Sequence, residues 1–337
     1  MLTEVRLRGH DFTNRDLQIV ILNNDAPRLS GAKMHSTFPA IPLFAFELPC
    51  IVLSTWGAAI ALLVIGGVAA RSAVAGARGL EKIVALRYLL FAMPLAVFGA
   101  EHLCSGKGMV EMVPAYMPWR LFWIYFIGVA LVAASLSIAL RIQVRWSGLL
   151  FGVMMFLFVA MLHFPGALSE KHNRILWTIV FRESSFGGGA WMLAASAIPG
   201  WSDRVNRILA TVGRVVIALS AVFFSFEQFL HPANVPGVPL EKLMPTWIPG
   251  HAVIAYLTGA ILLICGISIL ANKKTRTMAT YLGTWIVLLV VFIYVPILIA
   301  SVLDPSTGAR VEGINYFADT MLFAGAILAL AGDDKMH

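Results

Sequence analysis

Nine apolar runs, each close to the length needed to cross a bilayer, constrain this chain more than any other feature. A transmembrane helix needs roughly 20 apolar residues, because the hydrocarbon core is about 30 Å thick. The runs lie near residues 48–70, 84–103, 119–140, 146–164, 175–197, 210–230, 250–271, 278–300 and 314–331. Only 13% of the residues are charged, where a soluble domain has roughly 25%. The sequence therefore predicts an all-α integral membrane protein with nine transmembrane helices.

Two long segments, 98–140 and 224–270, share a pattern of widely spaced residues. In each segment an apolar helix ends in Glu-His or Glu-Gln, and a polar loop, a Pro-x-x-x-Pro pair and a second apolar helix follow. Four pairs are separated by the same number of residues: Pro114 and Pro245, Pro118 and Pro249, Gly128 and Gly259, Pro165 and Pro296. Three later pairs share a slightly larger separation: Phe181 and Phe317, Glu183 and Asp319, Gly189 and Gly325. Fixed spacings over many positions indicate an internal duplication.

The duplication predicts one leading helix followed by two units of four helices. Both units cross the membrane in the same direction, because each has an even number of helices. We therefore expect two parallel-repeat four-helix bundles, related by rotation about the membrane normal. The predicted divisions are a polar tail at 1–38 (absent if Met34 is the true start), the leading helix and its loop at 39–83, the first repeat at 84–197, a linker at 198–209, the second repeat at 210–331 and a tail at 332–337.

Basic residues are concentrated in the loops of one side of the predicted layout, at 71–87, 141–145, 204–214 and 273–276. Cytoplasmic loops carry an excess of Lys and Arg. This bias predicts an external N-terminus and a cytoplasmic C-terminus in the bacterial inner membrane. It also accounts for most of the net charge of +7, so that charge is no sign of nucleic-acid binding.

Polar side chains that are costly inside a bilayer gather at the predicted outer end of the helices. The candidates for a site are Glu101, His102, His163, Arg182, Glu183, Glu227, Gln228, Tyr294 and Asp319. Ionisable residues within a membrane often mark functional sites. The other interpretation is that they lie at the interface and are solvated by water. If they form a site, we expect each of the duplicated acids to face its own bundle, with Arg182 as the partner of Glu101 and His163 as a donor to a carboxylate. We expect Glu227 to lack such a cation, because Ala318 stands where the first repeat has Arg182.

The chain has three cysteines and lacks the Cys-x-x-Cys or Cys/His spacings of redox or zinc motifs, so we predict no metal site. Cys50 and Cys104 both lie near the predicted outer surface, where an oxidising compartment would allow a disulfide. The alternative is that they remain separate thiols, because sequence alone does not give their distance. Cys265 lies within an apolar run and is expected to be a packing residue.

The chain resembles the DoxX-like family of bacterial membrane proteins in four motifs taken together. They are the Glu-His or Glu-Gln helix end, the Pro-x-x-x-Pro pair, the His-Phe-Pro at 163–165 and the Gly-Gly-Ala at 188–190. The resemblance covers about 84–331, as two tandem copies of a unit that is usually single. It implies a four-helix fold and an association with membrane redox complexes, since the family is named after a subunit of a thiosulfate:quinone oxidoreductase. A quinone and a membrane or periplasmic redox partner are the expected associates, and no motif for an intrinsic cofactor is present.

Three interpretations of the function remain open at this point. The first is a redox-associated membrane subunit that acts beside a quinone or a partner oxidoreductase. The second is a transporter or a protein that binds lipid or a small molecule. The third is a structural or assembly factor without catalysis, and whether the protein is an enzyme is left undecided.

Overall fold

A computed structural model describes residues 49–197 and 201–332. A helix lies over each of the predicted apolar runs: α1 Cys50–Gly76, α2 Arg87–Ser105, α3 Arg120–Ala139, α4 Val144–Ser169, α5 Arg174–Ala195, α6 Asp203–Leu230, α7 His251–Leu270, α8 Thr275–Val302 and α9 Thr307–Ala331. Eight of these described helices are long and apolar enough to cross a membrane, and α5 is the exception. Together they support a multi-pass, all-α membrane protein.

Helices α2 to α9 form a closed ring. Each helix packs against the next one along the chain, and α9 closes the ring by packing against α2. Helix α5 also contacts α9 across the middle of the ring, while α1 lies outside and packs mainly on α2. Helix α9 is largely buried, because it packs against α2, α5 and α8.

The ring brings the two predicted four-helix units into extensive contact with each other. The last helix of each predicted unit packs extensively against the first helix of the other unit: α5 against α6, and α9 against α2. Small residues allow this close approach, as is common between membrane helices. A Cβ atom added at Gly325 would lie 2.6 Å from the Phe91 backbone nitrogen in α2, and one added at Gly188 would lie 3.0 Å from the Gly213 carbonyl oxygen in α6.

Helices α4 and α8 each contain a π-helical turn at the equivalent place. Each contains a five-residue π-helical turn, Val159–His163 in α4 and Val290–Tyr294 in α8, and each turn is followed by a proline. Proline removes a backbone donor, and π-helical turns within α-helices accompany kinks. His163 and Tyr294, the candidate residues on these helices, are the last residues of the two turns.

Several predicted boundaries need adjustment. Helix α6 begins at Asp203, inside the linker predicted at 198–209. Helix α9 begins at Thr307, well before the predicted start at 314. The tail predicted at 1–38 and most of the one predicted at 332–337 lie outside the described residues.

Candidate functional site

The centre of the candidate site is a buried ion-pair group that joins α5 to α9. The Arg182 guanidinium donates to Asp319 of α9, with 2.7 Å between Nη1 and Oδ2, and to Glu183, with 2.9 Å between Nη2 and Oε1. All three side chains are at least four-fifths buried. At about 1.5 Å per residue, Asp319 lies about 18 Å along α9 from its first residue, Thr307. The group is therefore well inside the bundle.

A second carboxyl group extends this cluster toward α2. Glu101 is 6% exposed, and its Oε1 accepts a hydrogen bond of 3.0 Å from the Asn315 amide of α9. Asn315 and Asp319 are four residues apart and therefore on the same face of their helix. Glu101 also interacts electrostatically with Asp319. Glu101 is thus linked through α9 to the ion pairs that Arg182 makes with Glu183 and Asp319. We name Glu101, Arg182, Glu183, Asn315 and Asp319 the acidic cluster.

Two histidines flank the acidic cluster. The His102 ring bonds through Nδ1 to the Phe98 carbonyl oxygen at 2.8 Å, within its own helix. His163 makes no hydrogen bond with any residue in the described part of the chain, so the expectation that it donates to a carboxylate is wrong. Both rings are partly exposed and both interact electrostatically with Glu183. Both rings are therefore near the cluster and in part accessible from outside the bundle.

The duplicated acid Glu227 lies in a separate pair at the same end of the bundle. Its Oε2 atom accepts from Arg174 Nη1 at 3.0 Å, and His231 approaches it at 3.9 Å. Arg174 is the first residue of α5. Both duplicated acids are therefore bound by the last helix of the opposite unit, Glu101 by α9 and Glu227 by α5.

This pairing corrects two expectations from the sequence. Arg182 is not the hydrogen-bonding partner of Glu101, because its guanidinium is taken up by Glu183 and Asp319. Glu227 was expected to lack a cation, and it has one in Arg174. The reason is the ring, which places the last helix of each unit beside the first helix of the other.

The loop between α6 and α7 covers this end of the second unit. Its segment at 234–239, Asn-Val-Pro-Gly-Val-Pro, is buried throughout, although loops normally run over the surface. Tyr294 donates to the Pro236 carbonyl oxygen at 2.7 Å, and Arg174 donates to that of Pro239 at 3.4 Å. The corresponding loop of the first unit, 106–119, is shorter and largely exposed. The second loop is therefore longer than the first, and its segment at 234–239 is buried in the bundle.

Gln228, the counterpart of His102, is 1% exposed. Neither its amide nitrogen nor its amide oxygen has a hydrogen-bond partner among the described residues. Most buried polar groups in proteins are paired. Gln228 is therefore a candidate residue whose buried amide has no hydrogen bond within the described part of the chain.

Cys50 and Cys104 are adjacent at the same end of the molecule. Their Sγ atoms lie 3.2 Å apart, and both are free, exposed thiols. Cys265 is buried within α7.

Two cavities lie elsewhere in the described part of the chain. One is an apolar groove of about 400 Å³ between α7 and α8, lined by Leu80, Ile261, Cys265, Tyr281, Trp285 and their neighbours. The other, of about 190 Å³, lies at the opposite end of the bundle beside Arg87 and Arg276. Neither is lined by Glu101 or Glu227.

Sequence reasoning missed Arg174 and Asn315, the partners of the two duplicated acids. A signal for Arg174 was present: it is related to Arg310 by the same spacing that relates Phe181 to Phe317. Asn315 gave no such signal, because Ile179 occupies the corresponding position of the first unit.

No protein-family model, curated protein or solved structure matches this chain. The class of protein therefore comes from its own fold: a multi-pass membrane protein made of α-helices.

Proposed function

We propose that this chain is a DoxX-like inner-membrane protein with nine transmembrane helices, made of two tandem units, that acts beside a quinone or a partner oxidoreductase. Its role at the acidic cluster is to exchange protons at the outer face of the membrane. In this proposal α5 is the ninth crossing. Its charged residues are shielded from lipid because α5 packs on α4, α6 and α9.

The tandem units are supported by equivalent packing in the two halves. Helix α2 packs on α3 as α6 packs on α7, and α4 packs on α5 as α8 packs on α9. The π-helical turns at Val159–His163 and Val290–Tyr294 are separated by the same offset that relates Pro165 to Pro296 in the sequence. These pairs favour a two-fold relation along the membrane normal, with equivalent residues at the same depth.

Proton exchange is supported by one observation above all, the charge imbalance of the acidic cluster. Glu183 and Asp319 share the single guanidinium of Arg182, and the nearby Glu101 carboxyl group is bonded to the neutral Asn315 amide. Buried charge is costly unless it is balanced. The cluster becomes electrically neutral only with two further positive charges, and protons are the simplest source. A group that needs bound protons for balance is suited to taking them up and releasing them.

The residues present also fit a quinone head group at this position. The head group has carbonyl oxygens that accept hydrogen bonds, and it reaches a protein from within the bilayer. The His163 ring makes no hydrogen bond with a described residue, and it lies beside Phe164, which is 42% exposed. When bound, a quinone would supply electron transfer coupled to proton uptake. The part of this chain would be to donate a hydrogen bond from His163 and to supply protons from the cluster behind it.

The test is to purify the protein in mild detergent and to quantify co-purified quinone by mass spectrometry. We expect the wild type to retain quinone, and Glu101→Gln and His163→Ala to lose most of it. Glu227→Gln is the matched control, because Glu227 occupies the equivalent position of the other unit but pairs with Arg174 outside the cluster. It should retain quinone at the wild-type level.

Two results would contradict the proposal. One is a wild-type protein that carries no quinone and does not bind a short-chain quinone added in titration. The other is equal loss in the Glu101 and Glu227 variants, which would reflect general damage at this end of the bundle. An unchanged fold should be checked in each variant by circular dichroism.

Binding of a lipid tail is a second candidate function, favoured by the groove between α7 and α8. Its lining is almost entirely apolar, and the basic loop residues Lys273 and Lys274 lie within about one turn of its Met278. Anionic head groups are attracted to such basic segments. Co-purified anionic phospholipid that is lost in Cys265→Trp, which fills the groove, would support this function. Unchanged lipid content in that variant would count against it.

A further inference from the structure

The cysteine pair lies where the start of α1 packs against the end of α2. Cys50 is the first residue of α1, the helix outside the ring, and Cys104 lies in the last turn of α2. The two Sγ atoms are 3.2 Å apart although the residues are separated by 54 positions. Both side chains are exposed, so that a small oxidant or a protein partner can reach them.

The pair is also next to the contacts that hold Glu101. Cys104 follows Glu101 by three residues, within one helical turn. On the other side, Ile51 and Val52 at the start of α1 pack against Val311 of α9. Val311 precedes Asn315, which donates to Glu101, by one turn. The start of α1 therefore touches both helices that carry the Glu101–Asn315 hydrogen bond.

We propose that Cys50 and Cys104 form a reversible disulfide that fastens the start of α1 to the end of α2. In the oxidised state, α1 is fixed over the end of the bundle that carries Glu101. In the reduced state, α1 is held there by packing alone. We call this disulfide between Cys50 and Cys104 the clasp. Its formation does not depend on the proposed proton exchange. Its influence on Glu101 rests on that proposal.

The chemistry is ordinary thiol–disulfide exchange. One cysteine thiolate attacks a disulfide oxidant, either a small disulfide or that of a protein thiol oxidase, and forms a mixed disulfide. The second thiolate then displaces the remaining thiol of the oxidant. Two protein thiols become one disulfide, and the two electrons reduce the oxidant to two thiols. Reduction of the clasp is the same exchange in reverse.

The test uses the purified full-length protein in detergent. It is first reduced, then incubated in glutathione buffers of increasing oxidised fraction, and finally denatured in the presence of a maleimide. Peptide mass spectrometry counts the modified cysteines. We expect three modified cysteines in the reduced protein and one, Cys265, in the oxidised protein, together with a peptide linked through Cys50 and Cys104. The oxidised form should also unfold at a higher temperature than the reduced form.

Each single variant provides a control. Cys265→Ser should leave the linked peptide and the temperature shift intact, whereas Cys50→Ser should abolish both. The proposal is wrong if Cys50 and Cys104 stay fully modifiable in the most oxidising buffer. It is also wrong if Cys50→Ser shows the same temperature shift as the wild type. Neither result involves quinone or proton exchange, so failure of the clasp and failure of the proposed function are separate outcomes.

Discussion

Replacing Arg182 by Gln tests whether the acidic cluster is organised around one cation. In the structure this side chain makes the 2.7 Å contact to Asp319 and the 2.9 Å contact to Glu183, and it is 17% exposed. Removing one partner of a buried ion pair costs about 3–5 kcal/mol, because the remaining charge is left without compensation. A loss of about 4 kcal/mol would lower the folding equilibrium constant nearly a thousandfold.

Arg174→Gln is the matched control for this substitution. Arg174 makes a single ion pair, with Glu227 at 3.0 Å, and it is 25% exposed. Water can partly replace the lost contact there, so we expect a cost of about 1–2 kcal/mol. Arg182→Lys should fall between the wild type and Arg182→Gln, because it keeps the charge but cannot span both carboxylates as the planar guanidinium does.

The assay is reversible unfolding in mixed micelles with increasing dodecyl sulfate, followed by the fluorescence of the nine tryptophans. It gives a free energy of unfolding for each variant. The penalty of Arg182→Gln should shrink as the pH is lowered, because protonation removes the unpaired negative charges. The reasoning is refuted if Arg182→Gln is no more destabilising than Arg174→Gln, or if its penalty is the same at acidic and neutral pH.

Three further predictions concern packing, the buried loop and orientation. Gly325→Ala should lower the free energy of unfolding by about 1–3 kcal/mol in the same assay, because its new Cβ atom would meet the backbone of α2. Gly57 faces open space, so Gly57→Ala should not be destabilising. Equal effects of the two substitutions would contradict the close packing. Tyr294→Phe should cost about 1–2 kcal/mol, because a buried loop carbonyl loses its donor, and an unchanged stability would show that the loop is not held there. Reporter fusions within 141–145 and 231–245 should give opposite signals, and equal signals would overturn the orientation.

The sequence by itself determined where the long helices lie, and it predicted which positions in the two halves correspond. Apolar runs must form helices to satisfy their backbone groups in lipid, so hydropathy located the long helices of the described residues. The two constant spacings between the halves related His163 to Tyr294 and Glu183 to Asp319. The polar candidates could be named because ionisable residues within apolar runs are rare, so that each one stands out in the sequence.

The tertiary structure alone decided which helices are neighbours and which polar groups meet. Lipid tails are as apolar as the helix surfaces, so hydrophobicity does not say which helix faces which. The choice depends on local shape, such as the close approach of Gly325 to α2. The resulting ring exchanges partners between the units, and for that reason Arg182 meets Asp319 and Glu101 meets Asn315. The Cys50–Cys104 distance has the same origin, since it depends on how α1 lies against α2.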